Sequence, residues 1–396
     1  MVDEQTPARK VDRGAERSGC PVEQLPDGTW LIRGYDAATI LLRSADTVQA
    51  GLGVETIAML PKRIRRPVLY QDGADHREHR RQTARYFTPR WVDEHYRGVM
   101  NRAAVKQIDR FRAAGRIELS DLVFPFTIEV VATVVGLTES RSGLQRRLDR
   151  FFPEEQRAEP GLSSVRGIRS TIRQGSSWLR VYFGDVRPAT RARRREPRDD
   201  LISHLLEQGW TDSEIVGECL TFAAAGMITT REFVNVAAWH LFTDAGMLGQ
   251  YRAAPRDDRL ATLREILRLE PVVGNLRRRT TAAVEVPDGE GAVTIPAGNL
   301  IDIALDVANI DKKAVGPQPL TVWPHRPSVD AGLSFGTGPH RCPGAHIAVL
   351  ETDVFLSKLF ELDGVHMVSP PHVSFDDVLG SYMLRGLTVA LRGGPV

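Results

Sequence analysis

Residues 333–351 read LSFGTGPHRCPGAHIAVLE, the densest knot of turn residues and reactive side chains in the chain. Gly336, Gly338, Pro339, Pro343 and Gly344 crowd around one cysteine, Cys342. The backbone must therefore turn tightly just before a helix whose apolar face runs through Ile347, Leu350 and Val354. A cysteine at a helix N-terminus feels the positive end of the macrodipole, which favours its thiolate. Neighbouring glycines let backbone N–H groups approach the sulfur and tune it as a metal ligand. Zinc fits poorly, because His340, Cys342 and His346 supply at most three ligands at crowded spacing while Cys20 and Cys219 lie far off in sequence. A nucleophile would need an oriented histidine, and His340, only two residues away, is badly placed for that. Two local readings stay open: a buried structural cysteine, and a thiolate ligand such as haem iron takes.

Outward from this loop, the chain has 396 residues, 52 Lys+Arg against 50 Asp+Glu, and three cysteines. The odd, sparse cysteines exclude a disulfide scaffold and point to a reducing, cytoplasmic setting. Residues 1–20 are polar and charged, lack an apolar signal region, and read as a flexible N-terminal tail before one domain over 21–396. No run is apolar enough for a membrane span. The segment 30–51 opens with a strand and shifts to helical spacing through Ala37, Ile40 and Leu41. Residues 52–70, broken by Pro61 and Pro67 and carrying Arg63, Arg65 and Arg66, read as a solvated loop or a substrate-access loop. Val92, Tyr96, Val99, Ala103 and then Ile128, Val131, Val134 predict successive helices over 76–150. The arginine-rich run before residue 198 reads as a solvated helix end; without interleaved aromatics it does not suit nucleic acid. Thr211 and Glu214 form a capping box for a long helix from about Ser213 past Leu241. Further helices are expected near 258–270 and after Pro343, with strands near 284–296.

At this point the pattern Phe335-Gly336-x-Gly338-x-His340-x-Cys342-x-Gly344 resembles the cysteine loop of the cytochrome P450 family, the haem-thiolate monooxygenases. Glu265-Ile266-Leu267-Arg268 is similar to that family's Glu-x-x-Arg motif, and Arg326 stands where the family has the third member of that buried network. Asp72 to Arg80 resembles its early helix, so the resemblance implies that His76 and Arg80 meet the propionates of haem b (iron protoporphyrin IX), with Cys342 on the iron. A His and an Arg four residues apart do share one helical face, as two anionic partners would require. Phe335, Gly336, His340 and Gly344 are implied cofactor contacts, and either Arg277 or Arg278, with Arg279 as a third candidate, would meet a propionate. Gly332 stands where many relatives carry a propionate-facing histidine. The similarity extends from about Trp30 to Leu387 and implies the P450 fold: mostly α with a small β region (α+β), in a single large domain.

The long helix carries Ala224, Ala225, Gly226, Ile228, Thr229, Thr230 and Glu232. Small residues at 225 and 226 would let a flat ligand approach, and a Thr229 hydroxyl bonded one turn back would open the helix locally. This resembles the family's Ala-Gly-x-acid-Thr oxygen-activating segment, except that Ile228 replaces the acid. Three outcomes follow from that departure: Glu232, one turn on, relays protons through water; water alone replaces the acid; or the enzyme performs oxidative coupling without oxygen insertion. A catalytically silent haem-binding recruitment module is the further rival. The expected substrate pocket takes Ala224, Ile228, Val273, Leu276, Tyr382 and Met383. No dinucleotide fingerprint or ferredoxin cysteine set is present, so electrons are expected from a separate ferredoxin and ferredoxin reductase, docked on basic residues such as Arg341. The expected reaction is hydroxylation of a small organic molecule in specialised-metabolite biosynthesis, with arginines 63, 65 and 66 suiting a polar or anionic group.

Overall fold

The computed structural model of the chain describes residues 9–13, 19–54, 57, 63–151, 176–327, 332–376 and 380–392. Helices dominate, and the longest, Asp212–Thr243, crosses the molecule in 32 residues, about 48 Å at 1.5 Å per residue. Its start is fixed as the sequence predicts. Glu214 N–H donates to Thr211 Oγ1 while Glu214 Oε2 accepts from the Thr211 N–H at 2.8 Å, closing both halves of the capping box. The apolar spacing over 76–150 resolves into Gly73–Thr83, Pro89–His95, Arg97–Ala114, Leu119–Val135 and Leu144–Phe151. Leu119–Val135 lies along the central helix, and the helix after the cysteine loop, Ala345–Phe360, packs against both Arg97–Ala114 and the central helix. These four helices carry most of the principal apolar core, including Phe111, Phe126, Phe233 and Phe355. No described helix is long and apolar enough to cross a membrane.

A five-stranded sheet flanks this core in the order Val22–Gln24, Trp30–Ile32, Leu300–Ala304, Asn275–Thr280, Thr47–Ala50. Among the described residues only the pairing of Trp30–Ile32 with Leu300–Ala304 is parallel, and the chain's early strands are zipped to its late ones. Val284–Asp288 and Gly291–Ile295 form the hairpin expected near 284–296. Beyond the final helix lie four strands, Val365–Ser369, His372–Asp376, Ser381–Arg385 and Thr388–Leu391, which the sequence did not announce.

Two expectations are corrected. Residues 9–13 are no loose tail: Val11 is 4 % exposed in the main core, and backbone and side chains of this strap bond to residues 269–272 and 380. The arginine run is also not wholly solvated. Arg193 is buried, donating to Glu139, Asp200 and Thr138, because three acceptors on neighbouring elements satisfy its fork.

Candidate active site

The cysteine loop is set by its backbone. Cys342 N–H donates to Phe335 O at 2.8 Å, and Gly336 N–H to Leu333 O at 2.8 Å. Gly338 has φ +71°, and a Cβ there would stand 2.5 Å from Leu42 O, so only glycine lets the loop press on the Tyr35–Arg43 helix. Burial raises the Cys342 thiol, opposed by a hydrogen bond from the Gly344 backbone and by the charges of Arg80 and Arg341. Leu276 lies beside Gly336, bringing the Asn275–Thr280 strand to the loop.

Two histidines and a group of arginines gather on one side. His76 is buried and its ring stacks on His340 with centroids 4.0 Å apart, while His340 Nε2 lies 2.9 Å from Asp72 Oδ1. Burial, followed by the charges of His340 and Arg80, holds His76 down to about 4. Arg80 donates to Arg341 O at 2.8 Å. Among the three adjacent arginines the structure discriminates clearly. Arg277 is half exposed and pairs with Asp302 at 3.2 Å, and Arg279 donates to Gly298 O. Arg278 is 3 % exposed, bonds only to the neighbouring Arg277 O, and has no carboxylate salt bridge among the described residues. Burial pushes its guanidinium down to about 10, with only Asp72 acting in the other direction. A buried guanidinium left in this state is costly unless an anion arrives.

Glu265, Arg268 and Arg326 do come together, all buried. Glu265 accepts from Arg268 Nε at 2.7 Å, Arg326 Nε at 3.1 Å and Trp323 N–H at 3.0 Å. The remaining guanidinium protons go to carbonyls of Asn309, Pro319, Thr321, Val315 and Gln318. Gly332 has φ +56°, and any Cβ there would run into Asn309 Oδ1, which accepts from Leu333 N–H. The missing histidine at 332 thus has a steric reason.

On the central helix, Thr229 Oγ1 donates to Ala225 O at 2.5 Å as predicted, yet the helix runs on without opening. Ala225 is exposed, and Ala224, Ile228 and Thr229 are half-buried, so this face borders open space. Gly226 does something else: a Cβ there would strike Val131, so the glycine serves close packing of two helices. Glu232 is not free to relay protons. Its carboxylate pairs with Arg231 at 3.0 Å and Arg385 at 2.9 Å, and also accepts from Leu384 N–H, because one further turn carries it into the Ser381–Arg385 strand. Thr230 is buried, away from the open face, beside Glu351 of the last helix. Burial raises Glu351 to about 8, with the Thr230 hydrogen bond opposing. Val273 and Met383 are half-buried, whereas Tyr382 is fully buried with its hydroxyl donating to Glu270 O at 3.0 Å. Tyr382, expected to line a substrate pocket, is therefore set in the core instead. Arg65 is likewise engaged, its backbone N–H on Glu214 and its side chain on Gln208 O, which ties the 63–70 loop to the central helix rather than leaving it for an anion. Positions 55, 56 and 58–62 of the access loop, and Leu379, lie outside the described residues.

Sequence reasoning missed Asp72 as the partner of His340, Glu351, and the buried His240–Glu270 pair at 3.0 Å. Only Asp72 carried a signal, as the residue opening the His76 helix. A separate cavity of about 400 Å³, lined by Lys106, Ile128, Glu129 and Leu144 among others, includes no residue of the cysteine loop.

A half-buried cysteine in a glycine-locked loop, with the charges of Arg80 and Arg341 acting on it and Arg278 buried on the strand that reaches the loop, is an arrangement that suits a haem-thiolate site. The chain is similar to the cytochrome P450 family of monooxygenases. The family model described as cytochrome P450 matches residues 260–372. Cytochrome P450 130 of Mycobacterium tuberculosis is 28 % identical over 82 % of this chain and 78 % of its own. The 6-deoxyerythronolide B hydroxylase of Saccharopolyspora erythraea is 27 % identical over 93 % of this chain and 90 % of its own. Among solved structures, CalO2 superposes with TM-score 0.78 at 21 % identity, covering 95 % of this chain and 94 % of that one. A P450 EryK mutant in complex with erythromycin B superposes with TM-score 0.76 at 22 % identity, with coverages of 95 % and 94 %. The family's cofactor is haem, and the residues present fit it: a thiol with a backbone donor, and a buried guanidinium, Arg278, whose charge lacks a carboxylate partner.

Proposed function

We propose that this enzyme binds haem b through Cys342 and hydroxylates a small organic substrate in specialised-metabolite biosynthesis. The observation that carries the reading is Arg278, buried and without a carboxylate partner among the described residues, on the strand that reaches the cysteine loop. With His76 and Arg80 it would meet the two propionates, while Phe335, Gly336, His340 and Gly344 would shape the sulfur side. Haem so bound supplies dioxygen activation at its iron. The protein's share is to oppose the rise that burial imposes on the Cys342 thiol, through the Gly344 N–H and the charges of Arg80 and Arg341, which would favour the thiolate as a ligand. Thr229, whose own proton is committed to Ala225 O, keeps lone pairs that would hold a water and steer a proton on the open face. Ala224, Ile228, Val273, Leu276 and Met383 would line the substrate.

Electrons would come from a separate ferredoxin and its reductase in the cytoplasm. Exposed Arg43, Arg77 and Arg341 around the cysteine loop support an acidic docking partner. The relative named 6-deoxyerythronolide B hydroxylase and the structure holding erythromycin B support a specialised-metabolite substrate. A second reading, oxidative coupling without oxygen insertion, is favoured by Ile228 together with the engaged carboxylate of Glu232. Oxygen-18 from dioxygen in the product separates the two, and turnover with a surrogate ferredoxin system speaks against a silent recruitment module. The deciding test is the reduced, carbon-monoxide-bound difference spectrum. A thiolate-ligated haem signal that Cys342→Ser abolishes is expected; a signal unchanged by that substitution sinks the proposal.

A further inference from the structure

Residues 9–13 form a strap whose position bears on the pocket wall. Arg9 Nε donates to Leu269 O at 3.0 Å, and the Lys10 and Val11 N–H groups donate to the two oxygens of Glu270, which also meets His240 at 3.0 Å. Two residues further on, Arg13 reaches across two segments that are remote in sequence. Its Nη2 donates to Pro271 O at 3.2 Å and Val272 O at 3.4 Å, and its Nη1 reaches Gly380 O at 3.5 Å. The guanidinium carbon lies 5.4 Å from the Tyr382 ring centroid and 5.6 Å from that of Phe375. Gly274 leaves the seat open, since any Cβ there would occupy the position of Arg13 Nη1. Among the described residues the two segments are also joined by the Gly274 N–H to Gly380 O bond, by the bridge between Val273 and Ser381 and, one residue before the first segment, by the Tyr382 hydroxyl on Glu270 O.

We propose that Arg13 is a specificity-determining residue that clasps the 271–274 and 380–382 segments at a fixed separation and so limits the size of substrate admitted between them. This rests on the reading of those segments as pocket wall. A planar fork suits the task, because one guanidinium satisfies carbonyls from both sides while its faces lie against aromatic rings. It acts through the loops and touches no reacting atom, so its role is positioning.

The test uses the haem-loaded enzyme and three variants, Arg13→Ala, Arg13→Lys and Gly274→Ala. Gly274→Ala removes the seat rather than the guanidinium, so the same phenotype from both lesions cannot come from lost charge alone. Hydrogen–deuterium exchange is expected to rise at least fivefold in peptides covering 271–276 and 380–385 while the central helix is unchanged. Titration with imidazole and with clotrimazole, followed by the Soret shift, is expected to lower the ratio of clotrimazole to imidazole Kd at least fivefold in Arg13→Ala and Gly274→Ala, and less in Arg13→Lys. Exchange that is unchanged, or raised uniformly through the molecule, overturns the clasp, and this readout stands even if the carbon-monoxide spectrum rejects the haem-thiolate reading. Local loosening with an unaltered Kd ratio overturns the specificity role.

Discussion

Arg326 Nε lies 3.1 Å from Glu265 Oε2, an ion pair that closes a stretch of chain 61 residues long inside the protein. Both groups are buried, and the same carboxylate holds Arg268. Truncating Glu265 strands two guanidinium groups at once, so Glu265→Ala is expected to cost about 3–5 kcal/mol or more. Urea denaturation would show this as a lower midpoint, with haem lost on gel filtration. A surface i,i+3 pair would be worth only a few tenths of a kcal/mol, so a variant that keeps its midpoint and its haem contradicts the buried-network assignment.

Arg278 and Arg277 are adjacent in sequence yet opposite in circumstance. Arg278→Leu removes a buried cation that lacks a carboxylate salt bridge, so it is expected to leave the haem-free protein as stable or more so, while weakening haem retention at least tenfold. Arg277→Ala breaks a half-exposed pair with Asp302, worth about 0–1 kcal/mol, and is expected to change haem retention less than threefold. Transfer of haem to apomyoglobin measures both. Equal effects would mean that neither residue meets the cofactor alone.

Where a demand falls on consecutive residues, the sequence is legible: the tight turn before the Ala345–Phe360 helix, the capping box at Thr211–Glu214 and the approach of Glu265 to Arg268 all form where helical or turn geometry brings near neighbours together. What failed was set by tertiary partners. Nothing local distinguishes Arg277 from Arg278 on a strand, since alternation decides which one turns inward and the register comes from the Thr47–Ala50 and Leu300–Ala304 strands. Glu232 looked available because helical spacing puts it one turn beyond Ile228; Arg385, 153 residues away, claims it. The 9–13 strap was illegible for the same reason, its acceptors being Glu270, Pro271 and Gly380.

Glu351 is buried in the last helix and raised from 4.5 to about 8. The folded protein therefore holds a proton that the unfolded chain releases above 4.5, and stability falls as pH rises across the window from 4.5 to about 8. Stability changes by about 1.4 kcal/mol for each pH unit crossed inside that window, so the cost on the alkaline side reaches a few kcal/mol. Glu351→Gln keeps the shape and removes the titration. It is expected to raise the urea midpoint at pH 8 and leave it nearly unchanged at pH 5. A wild-type midpoint that is flat between those pH values would mean that Glu351 is not held protonated.

Thr229 and Glu232 separate function from architecture on one helix. Thr229→Val keeps the volume and loses the hydroxyl, and since that hydroxyl is half-buried on the open face, stability is expected to fall by less than about 1 kcal/mol. Positioned proton transfer contributes about 10²–10⁴-fold in rate, so the fraction of electrons recovered as hydroxylated product is expected to drop at least fivefold, the remainder appearing as hydrogen peroxide. Glu232→Gln takes one charge out of a buried cluster with Arg231 and Arg385 and is expected to lower the denaturation midpoint while leaving product per electron unaltered in the folded fraction. Were Glu232→Gln to uncouple turnover while Thr229→Val did not, the proton path would have to run through the carboxylate after all. If neither substitution moved the product yield, the missing acid at Ile228 would point instead to coupling chemistry that needs no threonine.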